Sequence, residues 1–359
     1  MLAGVTWLED LEERARAVLP AHVAGYYAAG AGAGECLAEE LAGWEALRWR
    51  PRVLTDTSAV DLSTTVLGTP VRTPVLVAPM AQQVAAHPEG EAATGRAVAA
   101  AGSLLGVSTN TAVPFDAVTA TGAPWWYQVY VMRDRGLTRL LVERAAAAGA
   151  LALVLTLDTT ALASSVPGVE PTEWPPGPAR ARATALTAED LADREEGATG
   201  TVRDLDAGTV GWLREVSGLP VLVKGVLRGD DAARCVDAGA AGVVVSTHGG
   251  RRLGTSVTAL RALPEVVTAV GDRAEVLVDS GLRSGGHVAA ALALGARAAF
   301  VGRPAMWGLA AGGEEGVADV LRRLTDELAL VLQQVGAPRA VDLSPDLLAH
   351  DAPPPRRDG

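Results

Sequence analysis

A β-branched run, Val243-Val244-Val245, stops at Ser246-Thr247-His248-Gly249-Gly250-Arg251. Runs of this kind read as buried strands. Polar groups that follow one directly sit at its carboxyl end, where α/β barrels carry their chemistry. Imidazole exchanges a proton near neutral pH, and an arginine three positions on offers a carboxylate a planar fork. The two glycines let the backbone turn and a flat ligand come close. A strand-ending histidine can also be purely structural, so the rest of the chain has to decide. Ser108, Gln128, Tyr130, Thr156, Asp158, Lys224, Ser246, Asp279 with Arg283, and Gly302 with Arg303 likewise end or follow apolar runs. Singly, Asp158 could cap a loop and Lys224 could snorkel. Together, they would converge on one mouth if their strands ran parallel round a barrel.

The elements needed for that arrangement are legible. Thr6-Trp7-Leu8-Glu9 has the form of a capping box and opens a helix toward Leu19. Pro20 breaks it, and a second helical stretch carries Tyr26 and Tyr27. Strand-like runs then recur at Val75–Met80, Leu104–Thr109, Trp125–Val131, Ala152–Asp158, Pro220–Val226, Gly242–His248, Glu275–Gly281 and Ala298–Pro304. Helical patterns lie between them, among them Thr138–Ala148, Asp230–Ala238 and Gly286–Leu294, with Gly102, Gly149, Gly239 and Gly295 suited to end helices. This alternation predicts an α/β fold, a (β/α)8 TIM barrel forming a single domain over 1–359 with a helical N-terminal segment over 1–74. A doubly wound sheet is the competitor, but Ala78-Pro79-Met80-Ala81 stands where its glycine-rich turn belongs. Long loops in compact domains are usually lids or disordered, so 159–203, with the proline-rich Pro167–Pro178, reads as a lid after the fourth strand. The tail over 353–359 reads as disordered.

The chain has 359 residues, 49% hydrophobic, with 31 basic and 42 acidic residues and a net charge of -11. That balance argues against nucleic acid or an anionic membrane as partner. Two cysteines, Cys36 and Cys235, imply no disulfide framework and fit a reducing cytoplasm. Residues 1–20 do not read as a signal peptide, no apolar run spans a bilayer, and no ligand spacing suggests a metal. Trp125-Trp126 reads as core packing, and His87 as a structural or cap residue.

Asp279-Ser280-Gly281-Leu282-Arg283-Ser284-Gly285-Gly286 and Gly302-Arg303-Pro304 are glycine-rich turns that each bear an arginine. After the last two strands of a barrel, such turns hold a phosphate on backbone N–H groups. A phosphate-bearing cofactor is therefore expected. Pyridoxal phosphate would use Lys224 as a Schiff base, whereas flavin mononucleotide would use it as a positive charge near N1.

Six segments carry a resemblance: Ala78-Pro79-Met80 with His87-Pro88-Glu89-Gly90-Glu91, Tyr127-Gln128-Val129-Tyr130, Leu155-Thr156-Leu157-Asp158-Thr159, Leu222-Val223-Lys224-Gly225-Val226, Ser246 to Arg251, and Gly302-Arg303-Pro304. In this order the chain resembles the FMN-dependent 2-hydroxy acid oxidase and dehydrogenase family. The resemblance implies FMN, with Ser108, Gln128, Thr156, Lys224 and Ser246 on the isoalloxazine ring beside Ala78, Pro79 and Met80. It implies ribityl and phosphate contacts from Asp279, Ser280, Gly281, Arg283, Gly302 and Arg303. His248 would be the general base with Asp158 hydrogen-bonded to it, Tyr26 and Tyr130 would contact substrate oxygens, and Arg251 the carboxylate. A small-molecule substrate, O2 or another electron acceptor, and a homotetramer follow from the same likeness.

The chain departs from that pattern in places. Ser165 stands where relatives carry a second substrate arginine, Gly254 replaces the acid after His-Gly-Gly-Arg-x-Leu, and Thr247 replaces the usual Asn. One charge-assisted contact is worth about 1.5–3 kcal/mol, so its loss matters. Arg180 or Arg182 from the lid could substitute, or Arg251 could suffice for a larger substrate. Alternatively, the substrate lacks a free carboxylate: an ester, an amide, a carrier-bound natural-product intermediate, or a modified amino acid or amine in a biosynthetic pathway. The last two readings together are preferred here. A flavin-binding protein without turnover and an FMN isomerase are the rival classes.

Overall fold

The structure, a computed structural model, describes residues 6–159 and 186–349. Three helices open it: α1 (Thr6–Val18), α2 (Ala21–Ala28) and α3 (Glu35–Ala46). Pro20 is the N-cap of α2, so the break expected there falls in place. A hairpin of β1 (Thr64–Val66) and β2 (Thr69–Val71) follows, absent from the helical reading of 1–74. Its two-residue turn, Leu67-Gly68, has φ of 45° and 77°, the primed geometry that matches strand twist. The segment was too short for alternation to stand out.

The barrel then runs β3 (Val75–Met80), α4 (Gln83–Ala86), α5 (Gly90–Ala101), β4 (Leu105–Val107), α6 (Phe115–Thr119), β5 (Trp125–Val129), α7 (Arg135–Ala147) and β6 (Leu153–Thr156). It continues with α8 (Ala188–Leu191), α9 (Gly208–Ser217), β7 (Val221–Val226), α10 (Gly229–Asp237), β8 (Gly242–Val245), α11 (Ala259–Val270), β9 (Glu275–Val278), α12 (Gly285–Ala293), β10 (Ala299–Val301) and α13 (Arg303–Val335), the last broken at Gly312–Gly313. The strands from β3 to β10 close a parallel barrel, β10 pairing with β3. The (β/α)8 expectation stands. All eight strand runs are present, and six of them end two or three residues earlier than the runs suggested.

Period-2 alternation explains the interior. Leu76, Trp126, Val154, Leu222, Val244, Leu277 and Phe300 pack together with Val66 and Val71 of the hairpin, which closes the barrel floor. Their neighbours, such as Val75, Trp125, Leu153, Val221 and Val243, join the outer core against the helices. Both tryptophans are thus core, as read. Two residues beyond the apolar layer, the same inward parity delivers Ala78, Gln128, Thr156, Lys224, Ser246, Asp279 and Gly302. Every strand end but that of Ala78 becomes polar or glycine at the mouth.

The described part of the long connection, 186–203, is docked rather than free-standing. Arg144 pairs with Asp190 at 2.7 Å, Arg194 with Asp134 at 2.8 Å, and Thr201 bridges to Met132. Pro167–Pro178, Ser165, Arg180, Arg182 and the 353–359 tail lie outside the described residues.

Candidate active site

A cavity of about 560 Å3 opens at the carboxyl ends of the barrel strands. Among the sequence-predicted residues, Tyr26, Ala78, Pro79, Met80, Ser108, Gln128, Tyr130, Thr156, Lys224, His248, Arg251, Asp279, Ser280, Gly281, Arg283, Gly302 and Arg303 line it. Asp158 and Ser246 stand directly behind it, bonded to His248 and Lys224 respectively.

His248 has φ of 57° and the two glycines after it 68° and 72°. A left-handed run of this kind is strained for a histidine and throws its ring across the mouth. Its backbone is pinned by donation to Ser246 Oγ at 2.9 Å, and Gly249 N–H is held by Ser280 Oγ at 3.0 Å. The ring's Nδ1 lies 3.0 and 3.1 Å from the two Asp158 oxygens. At Nε2 the neighbour is Arg252 Nη2, at 3.3 Å. A guanidinium can only donate, so Nε2 is the acceptor and Nδ1 carries the proton toward Asp158. That tautomer leaves the lone pair on the cavity side. Burial depresses the His248 pKa, Asp158 opposes this, and Arg252 and Lys224 add to it. Burial alone would raise Asp158, but His248, Lys224 and Arg252 hold it well below the usual carboxylate range.

Lys224 forms the centre of the opposite wall. Its Nζ meets Asp279 Oδ2 at 2.7 Å and Ser246 Oγ at 2.6 Å. Burial works against the charge, yet Asp279 and Asp158 raise its pKa above the ordinary ammonium value. The group is a fixed cation, which suits a charge beside a cofactor and not a Schiff-base amine. Gln128 links Thr156 Oγ1 at 3.0 Å, Ser108 Oγ at 3.2 Å and Thr109 N–H at 3.1 Å. A row of paired donors and acceptors along three strand ends results.

Two arginines line the cavity near α12 and α13, Arg303 buried and Arg283 half-buried. Arg303 donates to Tyr27 O, Gly249 O and Ala29 O at 2.8–3.0 Å. Burial lowers its pKa to about 9, with Arg283 and Arg251 contributing. Burial likewise lowers Arg283 to about 10. Neither meets a carboxylate in a salt bridge among the described residues. Two cations beside the N-termini of α12 and α13, one buried and one half-buried, make a corner suited to an anion. The donor row, the fixed ammonium and this corner together fit FMN, whose ring, ribityl and phosphate need those three kinds of contact.

Arg251 differs from its expected setting. Its Nη1 donates to Tyr26 O and Ala29 O at 2.5 and 3.0 Å, and its guanidinium lies 4.6 Å over the Tyr26 ring. The arginine beside the base is Arg252, 3.4 Å from Tyr130 Oη as well. Sequence reading passed over it, because spacing drew attention to the residue three after His248. It also missed Glu40, fully buried on α3, which accepts from Thr247 Oγ1 and Ala259 N–H at 2.8 Å each. Thr247, the departure from Asn, thus acquires a partner. Only the burial of one face of α3 could have hinted at this.

Residues 15–350 match the family model described as FMN-dependent dehydrogenase. The chain is 41% identical over 355 residues to the L-lactate oxidase of a Nostoc species, covering 95% of this chain and 97% of that one. It is 36% identical over 362 residues to glycolate oxidase 1 of Oryza sativa subsp. indica, covering 98% and 97%. A solved mandelate oxidase with (S)-2-phenylpropionate superposes with a TM-score of 0.84 at 36% identity, covering 95% and 97%. The chain belongs to the FMN-dependent dehydrogenase family, and it is an oxidoreductase with FMN as its cofactor.

Proposed function

We propose that this protein oxidises the Cα–OH of a 2-hydroxy acid to the 2-oxo acid, with His248 as general base. The observation that carries the reading is the Asp158–His248 pair at 3.0 Å, with Nε2 turned to the cavity. A carboxylate behind an imidazole fixes its tautomer and stabilises the imidazolium as it forms. The proton lost by the substrate ends on Nε2, and Tyr130 stands within reach of a substrate oxygen. When bound, FMN supplies the two-electron acceptor. Lys224 holds a positive charge at the inner wall, while Arg283 and Arg303 offer themselves to an anion at the outer one.

The names of the relatives, lactate, glycolate and mandelate oxidases, support a 2-hydroxy acid and O2 as the final acceptor. A homotetramer is expected from the family likeness, and two free cysteines suit a cytoplasmic protein. No described helix is long and apolar enough to cross a membrane.

The test is anaerobic mixing of the holoenzyme with lactate, glycolate, mandelate and their amides. Bleaching of the flavin absorbance by at least one acid, lost in His248→Ala, is the expected result. Bleaching by amides alone would remove the acid from the assignment.

A further inference from the structure

We propose that Arg252 supplies the carboxylate contact that Ser165 cannot, and that substrate anion binding uncovers the base. The proposal rests on the 2-hydroxy acid reading above.

Arg252 Nη2 stands 3.3 Å from His248 Nε2 and 3.4 Å from Tyr130 Oη. It therefore occupies the place between the two groups that face a substrate's hydroxyl. Its Nε is buried and has no hydrogen-bond partner among the described residues. A buried, unpaired N–H on a cation is unfavourable until it meets an acceptor. Nε and Nη2 share one edge of the guanidinium, the side-on fork that takes both oxygens of a carboxylate. Among the described residues Arg252 makes no salt bridge. Its neighbour is oriented differently: Arg251 turns Nη1 to two backbone carbonyls and lays its guanidinium over the Tyr26 ring.

The contact at Nε2 has a second consequence. A base whose lone pair accepts from a guanidinium is not available to a substrate hydroxyl. An arriving carboxylate competes for the same edge with a full charge, and charge-assisted bonds are about twice as strong as neutral ones. Arg252 then turns from imidazole to carboxylate, and Nε2 is exposed at the moment the hydroxyl is in place. An amide or ester brings no charge and leaves the base covered. The pocket would thus require an anion, contrary to the substrates without a carboxylate that Ser165 alone suggests.

The experiment uses flavin-loaded wild type, Arg252→Gln and Arg252→Lys, each checked for flavin content and melting temperature. Equilibrium affinities are measured for two unreactive pairs, benzoylformate with benzoylformamide and pyruvate with pyruvamide. Arg252→Gln should weaken the acids about 10- to 100-fold and the amides less than about threefold. Arg252→Lys keeps the charge without the fork, so it should retain the preference for acids while losing part of the affinity. In turnover the loss should appear mainly in KM. Acid affinities within threefold of wild type in Arg252→Gln would overturn the proposal, as would equal binding of acid and amide by wild type. The two readings fail separately. Hydroxy acid turnover with unchanged acid affinity in the Gln variant removes Arg252 and keeps the function. A selective loss of acid affinity without any hydroxy acid turnover does the reverse.

Discussion

On the Lys224 side of the cavity, Asp279, Ser246, Gln128, Thr156 and Ser108 are joined in bonds of 2.6–3.2 Å. On the Arg252 side, contacts lengthen to 3.3–3.4 Å and the guanidinium Nε has no partner among the described residues. The first wall is built from residues inside or one step beyond strands, whose register is fixed by the barrel. The second comes chiefly from the turn after β8, which carries His248 and Arg252, with Tyr130, one step past β5, beside it. A wall held by its own pairs is preorganised for one ligand. A wall with donors to spare is completed by whatever anion enters. The difference separates a resident cofactor from a transient substrate, and it can be tested from either side.

The largest effect should come from His248, where the two walls meet. His248→Ala is expected to lower turnover about 10²- to 10⁴-fold while flavin content stays near wild type. Since burial and the cations at 252 and 224 depress its pKa, the acid limb of kcat/KM should lie below the ordinary imidazole value of about 6.5. As pH falls through that limb, Nε2 binds a proton and the base is lost. Arg252→Gln removes one of the depressing charges, so the limb should move to higher pH. A limb that stays in place would mean the two groups do not sense each other.

Breaking the paired wall should cost stability more than chemistry. Lys224→Met leaves the Asp279 carboxylate buried without its cation, a loss of about 3–5 kcal/mol. Urea midpoints of apoprotein would show it, and Asp279→Asn added to Lys224→Met should recover much of the loss. If the single variant unfolds at the wild-type midpoint, the pair is not what stiffens this wall.

Gly225 tests how the walls are joined. It has φ of 97° and sits at a register shift between β7 and β8. A Cβ there would lie 2.6 Å from Asp158 Cβ. Gly225→Ala must therefore displace the carboxylate that orients the base. Misplacement of about 1 Å costs on the order of 10²-fold in rate, with about 1–3 kcal/mol of backbone strain. Activity that survives would show that Asp158 has room to follow.

These effects also mark what could be read from the residues. The paired wall was legible because each of its members ends a strand, and alternation fixes which way a strand residue faces. Thr156, Lys224 and Ser246 could not point outward without turning Val154, Leu222 and Val244 out of the floor. The barrel itself was legible for the same reason. Arg252 and Glu40 lie on a turn and on a helix outside the barrel, where no period dictates direction. The hairpin was hidden because strands of three residues carry too little pattern. The role of Arg251 was read from spacing and likeness, which give reach but not the two backbone carbonyls that its Nη1 meets.

The smallest effect concerns Glu40, which supports the turn from behind. Its Oε1 accepts two hydrogen bonds while its buried Oε2 has no hydrogen-bond partner among the described residues. Burial pushes its pKa up to about 7, against the pull of Ala259, Thr247 and Trp44 toward the charged form. The folded state thus holds this proton more tightly than the unfolded chain does. Its contribution is full below about pH 4.5 and is lost as pH rises through about 7. Glu40→Gln imitates the protonated form and keeps the oxygen that Thr247 and Ala259 use. The variant should match wild type near pH 5 and exceed it by about 1–2 kcal/mol at pH 8, with activity little changed. Urea midpoints at the two pH values decide it. An equal difference at both would mean that Glu40 does not ionise in this range, and that Thr247 is held by the same neutral acid throughout.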